Sequence, residues 1–273
     1  MGGSAIRYDA RYTDLSHEYI NGSRVPNAKN ARETYVTNQL SLIYHIAPGL
    51  SATLIAPFAH KTVSEIDPVT GASSFTNSGL GDVSLIGRYN LLADHAFGDT
   101  RIVAATLGVK FANGLTTAMN GSEPANADLQ LGTGTTDFIA GFGYMLGFER
   151  WNIGANLLAG LRGFGSGASG HVYGNNLNYD VTLRYRLYQN DSGDPTIFGA
   201  FGVRGEWRGY ELQDGQRIDG SGGDVTYVAP GVQVFLSRQI SLDATVWIPV
   251  VHALNGDQVA ETVKVLAGFQ YGF

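Results

Sequence analysis

The chain has 273 residues, a net charge of −6 and no cysteine. The acidic balance argues against nucleic acid as a partner, and the missing thiols exclude disulfides and thiolate metal sites. Only 15% of residues are charged, whereas 37 are Gly, 14 Tyr and 13 Phe, a composition suited to strands and turns. Mean hydropathy is near zero, and no apolar run approaches the ~20 residues of a membrane-spanning helix. A membrane barrel remains open, because its strands are apolar only at every second position.

Alternation bounded by turn residues predicts twelve strands. They run over 5–15, 33–46, 50–62, 80–92, 101–112, 135–146, 151–162, 176–188, 196–210, 225–236, 240–250 and 262–273. Most reach the ~9–11 residues that cross a bilayer at a tilt. Connections after the even strands are mostly short, such as Ala47-Pro48-Gly49 and Gly147 to Arg150. Those after the odd strands are mostly longer and polar, notably Val63 to Gly79, Asn113 to Gly134 and Glu211 to Asp224. Short turns at one end and long loops at the other mark the outer-membrane arrangement. The expected fold is all-β: a 12-stranded antiparallel transmembrane β-barrel, one domain over residues 1–273, with no linker.

The apolar faces carry aromatic residues at two heights. Tyr44, Tyr89, Tyr144, Trp151, Tyr185, Tyr271 and Phe273 fall near the short turns. Tyr12, Phe58, Phe111, Phe138, Tyr179 and Trp207 fall near the long loops. Between them lie residues such as Leu42, Leu85, Leu107, Leu157, Val181, Val203, Val232 and Val265. Two aromatic girdles around an aliphatic band imply a bilayer.

The opposite faces are polar. Their bases are Arg7, Arg11, Lys61, Arg88, Lys110, Arg162, Arg184, Arg186, Arg204, Arg208 and Lys264; their acids are Asp9, Asp82, Asp137, Asp180, Glu206 and Asp243. Eleven bases against six acids predict a net basic lumen. Arg88, Lys110, Arg162, Asp180, Arg184, Arg186, Arg204, Glu206, Arg208, Trp247 and Lys264 are the expected pore-lining residues. Surplus guanidinium groups pair planar carboxylates bidentately, which points to a channel for small solutes, favouring anions. Inward Tyr188, Phe198, Tyr210, Tyr227, Phe235 and Trp247 either pack the lumen or guide aromatic solutes. The alternative is a closed structural barrel, its lumen filled by ion pairs and its acidic loops binding a partner. Pro230, mid-strand and lipid-facing, removes a ladder donor. It marks a kink for curvature or a gap near Pro230-Gly231 serving as a lateral exit.

No catalytic constellation stands out. There is no HExxH metal helix and no G-x-S-x-G turn. Ser16-His17-Glu18 are adjacent on a strand, so their side chains point to opposite faces. Asp214, Asp219 and Asp224 lack the spacing of a calcium loop. The expectation is a non-enzyme without cofactor or metal.

The last predicted strand ends with Gly268, Tyr271 and Phe273, which resembles the C-terminal sorting signal of bacterial outer-membrane barrels. Leu266 departs from it, where a polar residue is usual. The resemblance implies the barrel-assembly machinery, outer-membrane lipid and lipopolysaccharide as partners. The expected location is the bacterial outer membrane. Met1-Gly2-Gly3-Ser4, with no apolar signal region, reads as an added start on a mature sequence. Two stretches, Ser78-Gly79-Leu80-Gly81-Asp82-Val83 through Arg88-Tyr89 and Ala229-Pro230-Gly231-Val232-Gln233 through Ile248-Pro249-Val250 and Asn255-Gly256 to Phe273, resemble an outer-membrane transporter family. That family is named for the meta-cleavage pathway of phenol degradation. The resemblance implies uptake of small, aromatic or hydrophobic molecules.

Overall fold

The structure, a computed structural model, describes residues 3–67, 71–95, 99–191 and 193–273. Met1, Gly2 and parts of the expected connections 63–79, 93–100 and 189–195 lie outside the described residues. Twelve long strands form the wall: β1 (Ala5–Ile20), β2 (Arg32–Ala47), β3 (Leu50–Asp67), β4 (Ser84–Asp94), β5 (Thr100–Lys110), β6 (Thr135–Phe148), β7 (Trp151–Gly165), β8 (Asn176–Gln189), β9 (Thr196–Arg208), β10 (Gly223–Phe235), β11 (Ile240–Leu254) and β12 (Asp257–Gly272). Each pairs antiparallel with its chain neighbour, and β12 closes on β1 from Ala5↔Gly272 to Ile20↔Asp257. Closure removes the sheet edges, whose open backbone groups would find no partner in lipid.

Alternation sorts the side chains as expected. Leu107 is 70% exposed and Tyr44 65%, and the other aliphatic band positions Leu42, Leu85, Leu157, Val181, Val203, Val232 and Val265 are exposed too. Such a continuous apolar outer face belongs in a bilayer. At the short-turn end Trp151 packs on Tyr185 with centroids 4.5 Å apart. At the other end the Tyr179 ring covers Gly205, and its hydroxyl donates to Asp224 Oδ2 at 3.1 Å. The apolar body meets lipid while the polar tip finds an acceptor.

Four details depart from the expected pattern. Residues 71–80 pair with the upper part of β3, Phe58↔Leu80 to Asp67↔Gly71, so much of the expected loop is a hairpin. The β11–β12 connection is only Asn255-Gly256, because both strands run further than the pattern indicated. Near that end the β1–β12 register steps twice, Asp14↔Val263, Leu15↔Glu261 and His17↔Ala260, leaving Ser16 and Thr262 without cross-strand partners. Their hydroxyls bond each other at 2.8 Å. Each bulge shifts the alternation by one residue, and Glu261 thereby turns inward. A bulge at Leu187 likewise sets Tyr188 opposite Ile197, on the outer face rather than in the lumen.

No bulge lies at Pro230-Gly231. The β10–β11 register of Val228↔Ile248 resumes unchanged at Gly231↔Thr245, and the β9 side runs unbroken through Phe201↔Pro230. The two pairs missing between them follow from the donor that proline lacks. The β10–β11 bulge lies instead between Thr226 and Tyr227.

Candidate functional site: the barrel lumen

Inward positions in the short-turn half hold arginines laid flat against the wall. Arg7 donates to Asp243 Oδ1 and Oδ2 at 2.9 and 3.1 Å, and to Asp9 Oδ2 at 2.9 Å. Gly268 lies beneath it; an added Cβ would stand 2.4 Å from Arg7 Nη2. Arg88 lies over Gly143 and Arg184 over Gly154, with closest approaches of 3.6 and 3.7 Å to such a Cβ. Arg184 donates to Asn152 Oδ1 at 3.1 Å, and Arg186, near the rim, to the Glu149 carbonyl at 3.2 Å. Arg204 stands opposite Asp180 in the ladder, 3.9 Å from its Oδ1, with its guanidinium 4.8 Å over the Trp247 ring. Asp180 also accepts from Asn156 at 3.3 Å. Among the described residues, neither Arg88 nor Arg184 has a carboxylate at ion-pair distance.

The long-loop half is richer in acids. Lys264 Nζ bonds Glu206 at 2.6 Å and lies 3.6 Å from Glu261; Arg208 bonds Glu261 and lies 3.6 Å from Glu206. Glu33 accepts from the Tyr35 hydroxyl. Lys110 pairs with Asp137 at 2.5 Å and with Asp82 at 3.4 Å. Arg162 sits beside the β6–β7 bulge, where its backbone N–H donates to Asn175 Oδ1.

Asp82 does more than line the wall. Its carboxylate accepts from Gly114 N–H at 2.9 Å, Thr133 N–H at 2.8 Å and Thr133 Oγ1 at 2.7 Å. It therefore ties together the two ends of loop 113–134. Gly114 and Gly132 touch at that neck; a Cβ on Gly132 would meet Gly114 O at 2.3 Å. Gly79 leaves room for Leu131 in the same way. The Ser78-Gly79-Leu80-Gly81-Asp82 motif is thus the clasp of a folded loop. Lys61 holds that loop against the wall, donating to the Asp128 and Gln130 carbonyls at 2.7 Å each.

The loop carries Asp128 to a meeting of three loops. Desolvation among the surrounding loops pushes the Asp128 carboxyl up although the residue stays exposed to the lumen, and the nearby Glu211 adds to the shift. Tyr173, bonded to Asp128, is raised well above its usual value by its own burial. His171 Nε2 lies 3.1 Å from Glu211 Oε2, and pairing with that carboxylate raises the imidazole. Backbone pairing of His171↔Gln213 and Val172↔Leu212 joins the same two loops.

Beside these loops a cavity of about 570 Å³ opens into the lumen. Its lining includes Arg11, Arg208 and Lys264, but also Glu33, Asp128, Glu206, Glu211, Asp257 and Glu261. The expected tally of eleven bases against six acids must therefore admit Glu33, Asp128, Glu211, Asp257 and Glu261, which brings the acids level with the bases. Glu33 was legible from its alternation with Tyr35; Glu261 was hidden by the bulges, and the loop acids by tertiary folding. Of the aromatic residues expected inside, Phe198 packs on Phe235 at 6.0 Å and Tyr227 on Trp247 at 5.7 Å. Tyr210 lies in a loop beneath Arg217, at 4.2 Å. Asp214, Asp219 and Asp224 stay apart: Asp219 pairs with Arg217, and Asp224 accepts from Tyr179 and Thr226. Among the described residues no group of three or more His, Asp or Glu side chains is placed to hold a metal.

The fold is similar to the crystal structure of an outer membrane channel from Pseudomonas putida F1, with a TM-score of 0.76 at 18% identity, covering 100% of this chain and 96% of that one. It is also similar to the transport unit of the autotransporter AIDA-I from Escherichia coli, with a TM-score of 0.52 at 12% identity, covering 99% and 90%. The NanC porin gives a TM-score of 0.50 at 12% identity, covering 97% and 100%. At these identities the likeness is one of fold. Comparison with curated proteins finds no match. A closed barrel with an apolar outer belt and aromatic girdles, of the type these structures share, is a protein of the bacterial outer membrane. Residues 27–248 match the model of the family described as "Putative MetA-pathway of phenol degradation", and the chain belongs to that family.

Proposed function

We propose that this protein is an outer-membrane channel for small polar solutes, and that the short-turn half of its lumen favours anions. The observation that carries the reading is the charge of that half: Arg7, Arg88, Arg184, Arg186 and Arg204 against Asp9, Asp180 and Asp243. Three of these arginines, Arg88, Arg184 and Arg186, lack a carboxylate partner among the described residues, so each presents donors that a solute carboxylate can take bidentately. The Phe198–Phe235 pair in the same half gives an aromatic carboxylate a surface to slide along. This suits a family described by phenol degradation. The similar channel from Pseudomonas putida F1 supports the transport reading. Gly268, Tyr271 and Phe273 would present the last strand to the barrel-assembly machinery, with lipopolysaccharide as the outer-leaflet neighbour.

Planar-bilayer recording under a salt gradient tests the proposal. A reversal potential of anion preference is expected, and cation preference would overturn it. A barrel that conducts nothing would instead be the closed docking element. The in-folded loop 113–134 is the feature that favours that second reading.

A further inference from the structure

The interior charges are not mixed evenly along the lumen; they are stacked in two zones of opposite sign. Six carboxylates and three bases line the outer cavity. Arg208 and Lys264 are fully engaged with Glu206 and Glu261, and Glu211 faces His171. Glu33, Asp128 and Asp257 stand without an ion-pair partner among the described residues, with Arg11 the one base of the lining likewise unpaired. The zone below is the reverse, with five arginines against three aspartates. The boundary is sharp. Arg204 and Glu206 occupy successive inward positions on β9, about 7 Å apart at strand rise.

A uniformly basic lumen would suit a plain anion. An acidic chamber above a basic one repels a plain anion at the outer mouth and a plain cation at the inner half. A solute carrying both charges meets a favourable partner in each zone. Resting on the channel reading above, we propose that the outer cavity is a binding site for the ammonium end of small zwitterions. The carboxylate end is then received by the Arg184–Arg204 region below. At about 570 Å³ the cavity has room for an amino acid or a comparable ω-amino carboxylate with its water.

Three probes of one chain length separate the possibilities: 4-aminobutyrate, butyrate and butylammonium, each added to the purified barrel in a planar bilayer. Binding in the lumen reduces the ionic current, so the half-blocking concentration reports affinity. The expected result is a half-blocking concentration several-fold lower for 4-aminobutyrate than for either single-charge analogue. Glu33→Gln together with Asp257→Asn should abolish that advantage, with block by butyrate equal to or stronger than in the unaltered protein. Heat-modifiable migration on gels establishes that the variant barrel is folded. Should the variant not fold, the three-probe comparison on the unaltered protein still decides. Equal block by butyrate and 4-aminobutyrate, or an advantage that survives the double substitution, would overturn the zwitterion site and leave the channel standing. Absence of any ionic current would overturn the channel reading itself.

Discussion

The two halves of this barrel solve the problem of a charged interior differently. In the short-turn half, guanidinium groups lie on bare backbone. Gly268, Gly143 and Gly154 supply flat floors for Arg7, Arg88 and Arg184, and the turn at Pro48-Gly49 is tight. In the long-loop half, side chains pair with one another across the lumen, as in the Lys264–Glu206–Arg208–Glu261 group. Loops there fold in and are clasped by Asp82. The first half presents charges to a solute; the second uses many of its charges to hold its own shape. Neutralising a wall arginine below should therefore alter selectivity, and neutralising a paired charge above should alter architecture.

The largest expected effect is on the clasp. Asp82→Ala leaves Lys110 with one carboxylate fewer and frees both ends of loop 113–134. Removing one partner of a buried, hydrogen-bonded charge costs about 3 kcal/mol. Single-channel conductance should rise several-fold as the loop leaves the lumen, and the heat-modification temperature should fall. Unchanged conductance would mean that this loop does not restrict the path.

Gly268→Ala tests the opposite half. Its Cβ would stand 2.4 Å from Arg7 Nη2 and 2.8 Å from Asp243 Oδ1, which displaces a three-membered ion pair. Overpacking of this kind costs about 1–3 kcal/mol. Thermal unfolding should drop accordingly, and adding Arg7→Ala should recover part of the loss. If the double variant is no better than the single one, the glycine matters for another reason, such as assembly.

Replacing Arg184 and Arg204 by Ala should move the reversal potential towards cation preference while leaving the unfolding temperature nearly unchanged. Arg217→Ala, in a loop and paired with Asp219, should do neither. Equal shifts from both variants would break the distinction between wall and loop.

The smallest effect concerns pH at the meeting of loops. His171 is raised above 6.5 by Glu211, and Asp128 is raised by desolvation among the loops and by Glu211. For both groups the protonated form is the one favoured by the folded loops. Their contribution is fully present below the unperturbed values and is lost as pH rises through the raised ones. Conductance should therefore increase modestly from acid towards pH values above that of free histidine. His171→Gln should flatten the upper part of this rise. A conductance that falls with pH would contradict the sign.

Much of this architecture is fixed by short-range pattern. Period-2 alternation of residues such as Leu42, Tyr44, Arg184 and Arg204 assigns each to a face, because a strand has only two. Strand number, the girdles, the parity of loop length and the Arg204–Asp180 pairing follow from it. The pattern fails where an unpaired residue is inserted. Ser16 and Thr262 look ordinary in sequence, yet their paired bulges turn Glu261 inward, and Leu187 turns Tyr188 outward. Loops obey no period at all. That Asp82 would clasp Gly114 and Thr133, that Asp128 would reach Tyr173, and that Glu211 would face His171 depend on contacts between segments far apart in the chain. The sequence by itself determined the barrel and its two faces. Only the tertiary structure decided the acidic outer half, because bulges and in-folded loops bring charges inside that local alternation cannot count.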